Sequence, residues 1–418
     1  VVIDSRNVVR VYLAISGLFT LSASLIWGIN TLFLLEAGLT LFEVFIANAA
    51  FTAAMALFEV PTGVVADTRG RRASFLLSAG VTAVGTLAYV GVAAMGGGLL
   101  LFCLAGVILG LGFTFYSGAV EAWLVDALTA SGYQEELDPV FARAEMVGQA
   151  ATLTGTVAGG LLGQLDLSLP YVVRAVLILS ALGVGLRWMH DYGFTPRAVR
   201  LRGITGEMRQ VARTGLRHGW RNPAMRLLLL HSLLIAGFFL WAWYAWPPYF
   251  LELFGRDAVW LAGVIAALFS LAGMAGNALV GWLAKPGRRR TTLLVGASFM
   301  LAVTLAGTGL IRDFWLTVPI FLLGATAVGV LEPVRQSYLH KSIPSAERAT
   351  LVSADSLMGS LGSIGWQLGL GYLAQRRGVP AGFIVGGAAM LLAVPIFLRL
   401  RVLNQPADQV TGADTGQG

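Results

Sequence analysis

Seven ionisable side chains lie inside or at the ends of long apolar runs: Glu59, Glu121, Asp126, Arg174, Glu332, Arg335 and Asp355. In lipid, a charge at the centre of an apolar helix costs about 2.5–3.5 kcal/mol on insertion scales, so each needs a reason to be there. A carboxyl group in such a place can bind a proton in one conformation and release it in another. Desolvation favours its neutral form, and an arginine neighbour favours its charged form. Four acids are candidates for that chemistry: Glu121, Glu332, Asp355 and Glu59. Glu332 and Arg335 stand three residues apart, hence on one helical face, where they can pair. Glu121 has no arginine on its own stretch, which favours it as proton carrier, with Glu332 and Arg335 as a gate. The alternative is that both acids serve only in gate ion pairs and carry no proton. Glu59 stands two residues before Pro61 and has a second reading, as support for the turn that follows it. Arg174 is expected to pair with Asp166.

These groups need elements that hold them in an apolar medium. Of the 418 residues, 56% are hydrophobic and 12% charged, against roughly 25% charged in soluble domains. That makes an integral protein of a lipid bilayer, and its 52 glycines suit close helix approach there. A span takes about 20 apolar residues, and the runs predict about twelve. They fall near 11–35, 41–66, 74–95, 99–128, 140–165 and 168–189, then 224–251, 257–284, 291–312, 314–340, 346–374 and 380–400. The net charge of +7 does not indicate a nucleic-acid partner, because the arginines occupy short loops between apolar runs. They load one side, which the positive-inside rule makes cytoplasmic together with both termini. Arg376 and Arg377 fall on the other side. Residues 190–223 are a basic cytoplasmic linker in which 206–213 reads either as an amphipathic surface helix or as a solvated basic loop. The stretch 403–418 reads as a disordered tail. A lone Cys103 excludes an internal disulfide and a thiolate cluster, and no metal or cofactor site is expected.

Between the second and third runs lies Glu59-Val-Pro-Thr-Gly63-Val-Val-Ala-Asp67-Thr-Arg69-Gly70-Arg71-Arg72. It must turn the chain sharply at a membrane surface, with Gly63 allowing backbone approach and Gly70 supplying positive φ. This spacing resembles the loop signature between the second and third helices of the major facilitator superfamily, with Thr68 in place of the usual basic residue. The resemblance implies that Asp67 docks at the start of the eleventh span near Ser345, while Arg69, Arg71 and Arg72 meet Asp126. Together these form a latch for an outward-facing state. Three echoes support an internal duplication. Gly63…Asp67…Gly70-Arg71-Arg72 is matched by Gly281…Lys285…Gly287-Arg288-Arg289, Gly118…Glu121 by Gly329…Glu332, and Arg143-Ala144 by Arg348-Ala349. The expected fold is therefore an all-α membrane protein of two pseudo-symmetric six-helix bundles, 1–189 and 224–402.

The seventh run is aromatic, with Trp241, Trp243, Tyr244 and Trp246 before Pro247-Pro248, which are expected to break the helix. Such a surface suits a gate or a site for an apolar or cationic solute; the other reading is an interfacial aromatic belt. Trp27, Asn30 and Tyr116 complete the candidate cavity lining beside Trp241, Trp243 and Tyr244. In the fifth run, Gly155…Gly159-Gly160…Gly163-Gln164 is similar to a run of the superfamily's drug:proton antiporters, though Gly160 replaces a proline and Gln164 a glycine. A stripe of small residues for helix packing also explains it. No HExxH, GxSxG, CxxC or phosphate-binding glycine loop is present, which argues against a membrane enzyme or an ATP-driven pump. A receptor is a weaker reading. The expectation is a monomeric secondary transporter of the inner (plasma) membrane that rocks two halves about a central site. It would export a small lipophilic or cationic solute against protons. Proton-coupled uptake and facilitated diffusion of a small metabolite are the alternatives.

Overall fold

A computed structural model describes residues 4–196, 215, 217, 219–343 and 347–410. Fifteen α-helices lie among them: α1 (Ser5–Ser24), α2 (Asn30–Glu36), α3 (Leu41–Arg69), α4 (Arg71–Ala94), α5 (Leu99–Tyr116), α6 (Ala119–Ala130), α7 (Asp138–Leu165) and α8 (Leu169–Trp188), followed by α9 (Pro223–Phe254), α10 (Val259–Leu283), α11 (Arg290–Leu310), α12 (Phe314–Ser342), α13 (Arg348–Arg377), α14 (Val379–Met390) and α15 (Ala393–Val402). Ten single or broken helices are long and apolar enough to cross a membrane. With the more polar α7 and α13, they account for twelve spans. The chain forms two compact units, residues 1–206 with 257–267, and 207–256 with 268–418.

The helix ends follow local chemistry. Asp4 caps α1, Thr40 and Glu43 form a reciprocal capping box on α3, Asn222 caps α9 and Asp313 caps α12. Three spans expected to be continuous are broken. The first breaks between Ser24 and Asn30, the twelfth after Met390, and the fourth at Ser117–Gly118, where Gly118 takes φ 70°, a left-handed conformation that glycine adopts without penalty. Gly329, its sequence echo, instead lies inside α12, where an added Cβ would run into the Gly273 carbonyl. The echo is thus one of sequence, not of backbone role.

The expected break at Pro247-Pro248 does not occur. α9 runs through both prolines although each removes a backbone donor. The surrounding rings hold it: Trp246, Tyr249 and Phe250 are fully buried, and Trp246 and Phe250 both meet Phe321. Gly63 is exposed with open space around it, so among the described residues no backbone approaches there, and α3 continues to Arg69. Residues 404–410 are ordered rather than a loose tail, because Ala407, Asp408 and Val410 are buried. Their backbone pairs with the loop before α11, Gly287 N donating to Val410 O and Val410 N to Arg288 O. The expected 206–213 helix and residues 411–418 lie outside the described residues.

Candidate functional site

In the first unit α3 and α4 are joined by one residue, Gly70, at φ 107°. Arg71 then turns back on Asp67, Nη1 to Oδ1 at 2.8 Å, and its Nε lies 3.8 Å from Asp126 Oδ2. These three side chains, with Gly193–Pro196, line a polar cavity of about 410 Å³. Of the three arginines expected at Asp126, only Arg71 reaches it. Arg69 is exposed, and Arg72 donates from Nη2 to Leu186 O at 2.9 Å and from its backbone N to Asp191 Oδ1 at 2.8 Å. Ser345, the expected partner of Asp67, lies outside the described residues.

Asp191 has a counterpart that the sequence reading missed. In the second unit, Asp408 accepts from Thr291 N at 2.8 Å and from Thr291 Oγ1 at 3.0 Å. Arg72 and Thr291 are each the second residue of their helix, α4 and α11. Each unit therefore caps its third span with an aspartate that follows its sixth. The shared capping position pairs Arg72 with Thr291, two residues beyond the Arg72–Arg289 match that the sequence echo implies.

A second cavity of the first unit, about 330 Å³, is lined by Tyr12, Ser16, Phe113, Tyr116, Ser117 and Glu121 among others. Tyr116 stacks on Phe19, centroids 3.8 Å apart and planes at 4°. Glu121, in the first turn of α6, is exposed at this cavity. Asn30 does not join the lining. It is buried, donates to Asn48 Oδ1 at 3.1 Å and accepts from the Tyr171 hydroxyl at 2.9 Å, so both ends of its amide are used inside the bundle. Trp27 packs on the apolar cluster around Leu25 and Phe102, away from this cavity. Arg174 does not pair with Asp166, which accepts from Ser168 N instead. It is 3% exposed, and its guanidinium carbon lies 5.7 Å from the centroid of Phe113.

The second unit holds a buried ionic cluster. Arg335 Nη2 lies 2.6 Å from both Asp355 oxygens, and Ser232 Oγ donates to Asp355 Oδ1 at 2.5 Å while accepting from Arg335. Arg335 is 4% and Asp355 7% exposed. Beside them His231, 1% exposed, has neither ring nitrogen hydrogen-bonded and lies 4.6 Å from Phe397. The expected Glu332–Arg335 pair is secondary. Glu332 is exposed, 3.7 Å from Arg335, and accepts from Gln336. The buried acid is the stronger partner, because the pair's attraction is greatest where water is excluded. Glu59 is exposed on α3.

Trp241 is fully buried, with Gly382 and Phe383 against its ring. It belongs to the core rather than to a solute surface. Trp243 lines a narrow apolar crevice with Phe239, Phe269 and Phe321. At about 20 Å³ the crevice has room for little more than a water molecule, so it is no solute site in this conformation. Tyr244 is half-buried and is not in that lining.

Residues 12–366 match the family model of the Major Facilitator Superfamily. The chain belongs to that superfamily. It is similar to the uncharacterized MFS-type transporter YxaM of Bacillus subtilis (strain 168), 22% identical over 404 residues, covering 93% of this chain and 94% of YxaM. Among solved structures it is similar to the nucleoside transporter NupG, TM-score 0.75 at 12% identity, covering 94% of this chain and 99% of that one. It is also similar to a POT family transporter in complex with a thioalcohol-conjugated peptide, TM-score 0.70 at 13% identity, covering 95% and 96%. The likeness to these structures establishes the fold. The protein is thus an integral membrane MFS transporter of the all-α class, not an enzyme.

Proposed function

We propose that this MFS transporter couples solute movement to protons and that Asp355 is the residue that carries the proton. The observation behind this reading is the buried Arg335–Asp355–Ser232 cluster with an unbonded His231 beside it. A buried ion pair is a costly way to stabilise a bundle, since apolar residues of similar volume often do as well or better. Retaining one here calls for a functional reason, and a proton site supplies it. Opening the site to water and parting Arg335 from Asp355 changes the proton affinity of the acid, and such a difference between conformations is what coupling requires. Glu121 and Glu332, both exposed, have less desolvation to gain or lose, so they act as rim charges. Asp67, Arg71 and Asp126 act as the conformational latch.

The aromatic cavity around Tyr12, Phe113 and Tyr116 supports a small solute with an apolar body, and the glycine run of α7 supports export as its direction. The arginine-loaded loops support placement in the inner (plasma) membrane with both termini in the cytoplasm. Alternating access by a monomer suffices for this cycle. The test uses proteoliposomes, an imposed pH gradient and a solute first selected by thermal shift on the purified protein. Asp355→Asn is expected to lose uphill transport while keeping solute exchange without a gradient. Uphill transport by Asp355→Asn at the wild-type level would remove Asp355 as the proton site.

A further inference from the structure

Three arginines are buried among the described residues: Arg174, Arg290 and Arg335. Arg335 is neutralised by Asp355. Arg290 donates to the carbonyls of Ala407 and Gln409, beside Asp408. Arg174 has neither kind of partner: no carboxylate lies within ion-pair distance of it among the described residues, and its Nε makes no hydrogen bond. Among the described residues, its guanidinium lies against the Phe113 ring and near the phenols of Tyr171 and Tyr89. An uncompensated guanidinium in a membrane-spanning bundle carries a large desolvation penalty, and arginine remains charged in proteins. An anionic ligand beside it would offset that penalty.

We infer that Arg174 is the anchor for an anionic group, a carboxylate, sulfonate or phosphate, on the transported solute. This rests on the aromatic cavity of the first unit being the solute site. Phe113 is shared: it forms a wall of that cavity and is the ring against which the guanidinium lies. A swing of this one ring brings the arginine into contact with a solute whose apolar body sits among Tyr12, Phe113 and Tyr116. The planar guanidinium fork suits two-point binding of an oxyanion. Glu121 does not neutralise Arg174. It lies on α6, beyond the Ser117–Gly118 break, and forms no ion pair with Arg174.

The experiment uses the full-length protein in detergent and a matched set of probes sharing one aryl body: naphthalene-2-carboxylate, -sulfonate and -phosphate, the neutral carboxamide and the methylammonium. Wild type, Arg174→Met, Arg174→Lys and Tyr116→Ala are compared by thermal shift. Without ligand, Arg174→Met is expected to melt a few degrees above wild type, because it removes an unpaired buried charge; a merely structural arginine would give a drop. The anionic probes are expected to stabilise wild type and, more weakly, Arg174→Lys, but not Arg174→Met, with the amide and ammonium at least ten-fold weaker. A lower melting point for Arg174→Met, or no anionic probe that stabilises wild type, overturns the inference. If a probe's shift is lost in Tyr116→Ala but kept in Arg174→Met, the cavity stands as solute site and the anion assignment fails. A shift that survives both substitutions removes the cavity reading as well.

Discussion

The paired aspartate caps give a quantitative prediction for Asp408→Ala. Asp408 is 1% exposed, accepts two hydrogen bonds from Thr291, and stands 3.9 Å from Arg289. Removing a side chain that caps a helix costs about 0.5–2 kcal/mol, and a hydrogen bond to a charged group contributes about 1.5–3 kcal/mol. The Arg289 contact adds little, because that guanidinium is 39% exposed and screened by solvent. Local opening of the α11 N-terminus should therefore become easier by about 2–4 kcal/mol. At 1.4 kcal/mol per decade, the low end already means about 30-fold faster amide exchange at Thr291. Asp191→Ala removes a single bond, to Arg72 N, from a half-buried carboxylate. Its effect at Arg72 should stay near 0.5–2 kcal/mol. Hydrogen exchange resolved to these two helix starts is the assay. Unchanged exchange at Thr291 in Asp408→Ala, or in a chain ending at Leu403, would refute the capping role of the ordered tail.

Asp355→Asn should destabilise the second unit by about 3–5 kcal/mol, because it leaves Arg335 buried without its partner charge; Asp355→Leu combined with Arg335→Met should recover most of that in chemical denaturation. Asp67→Asn and Asp126→Asn should each slow transport with little loss of solute affinity, and the double variant should fall short of the sum because both acids share Arg71; additive losses would separate them. Gly159→Ala and Gly362→Ala should each cost about 1–3 kcal/mol by overpacking, since the added methyl would meet the carbonyls of Leu25 and Leu233. Gly148→Ala, with open space on the same helix as Gly159, should instead gain about 0.5–1 kcal/mol, as thermal shift would show.

What could be read from the sequence was mainly what is local along the chain. Most of the spans follow from hydropathy and length, and the sharp turn at Gly70 follows from a motif whose spacing is short; the contact of Arg71 with Asp126 joins two helices and was expected from the family resemblance alone. Helical periodicity brings Glu332 near Arg335, but it is blind to another helix, so it could not rank Asp355 as the closer partner. Asp191 and Asp408 lie in polar stretches just past a span, where nothing in the local pattern distinguishes a buried cap from a solvated loop. Arg174 illustrates the same limit, since a nearby Asp166 suggested a pair that the N-terminal turn of α8 claims instead. At Pro247-Pro248 the local rule for a helix break held less weight than the ring of aromatic side chains that confines α9.

The central claim is that Asp355 exchanges a proton as the transporter changes conformation. The most direct measurement is the proton count on solute binding, by pH recording on the purified transporter in weakly buffered detergent solution. The account predicts proton release or uptake by wild type that is abolished in Asp355→Asn and retained in Glu121→Gln and Glu332→Gln. An unchanged proton count in Asp355→Asn, or one lost only in Glu121→Gln, would contradict it.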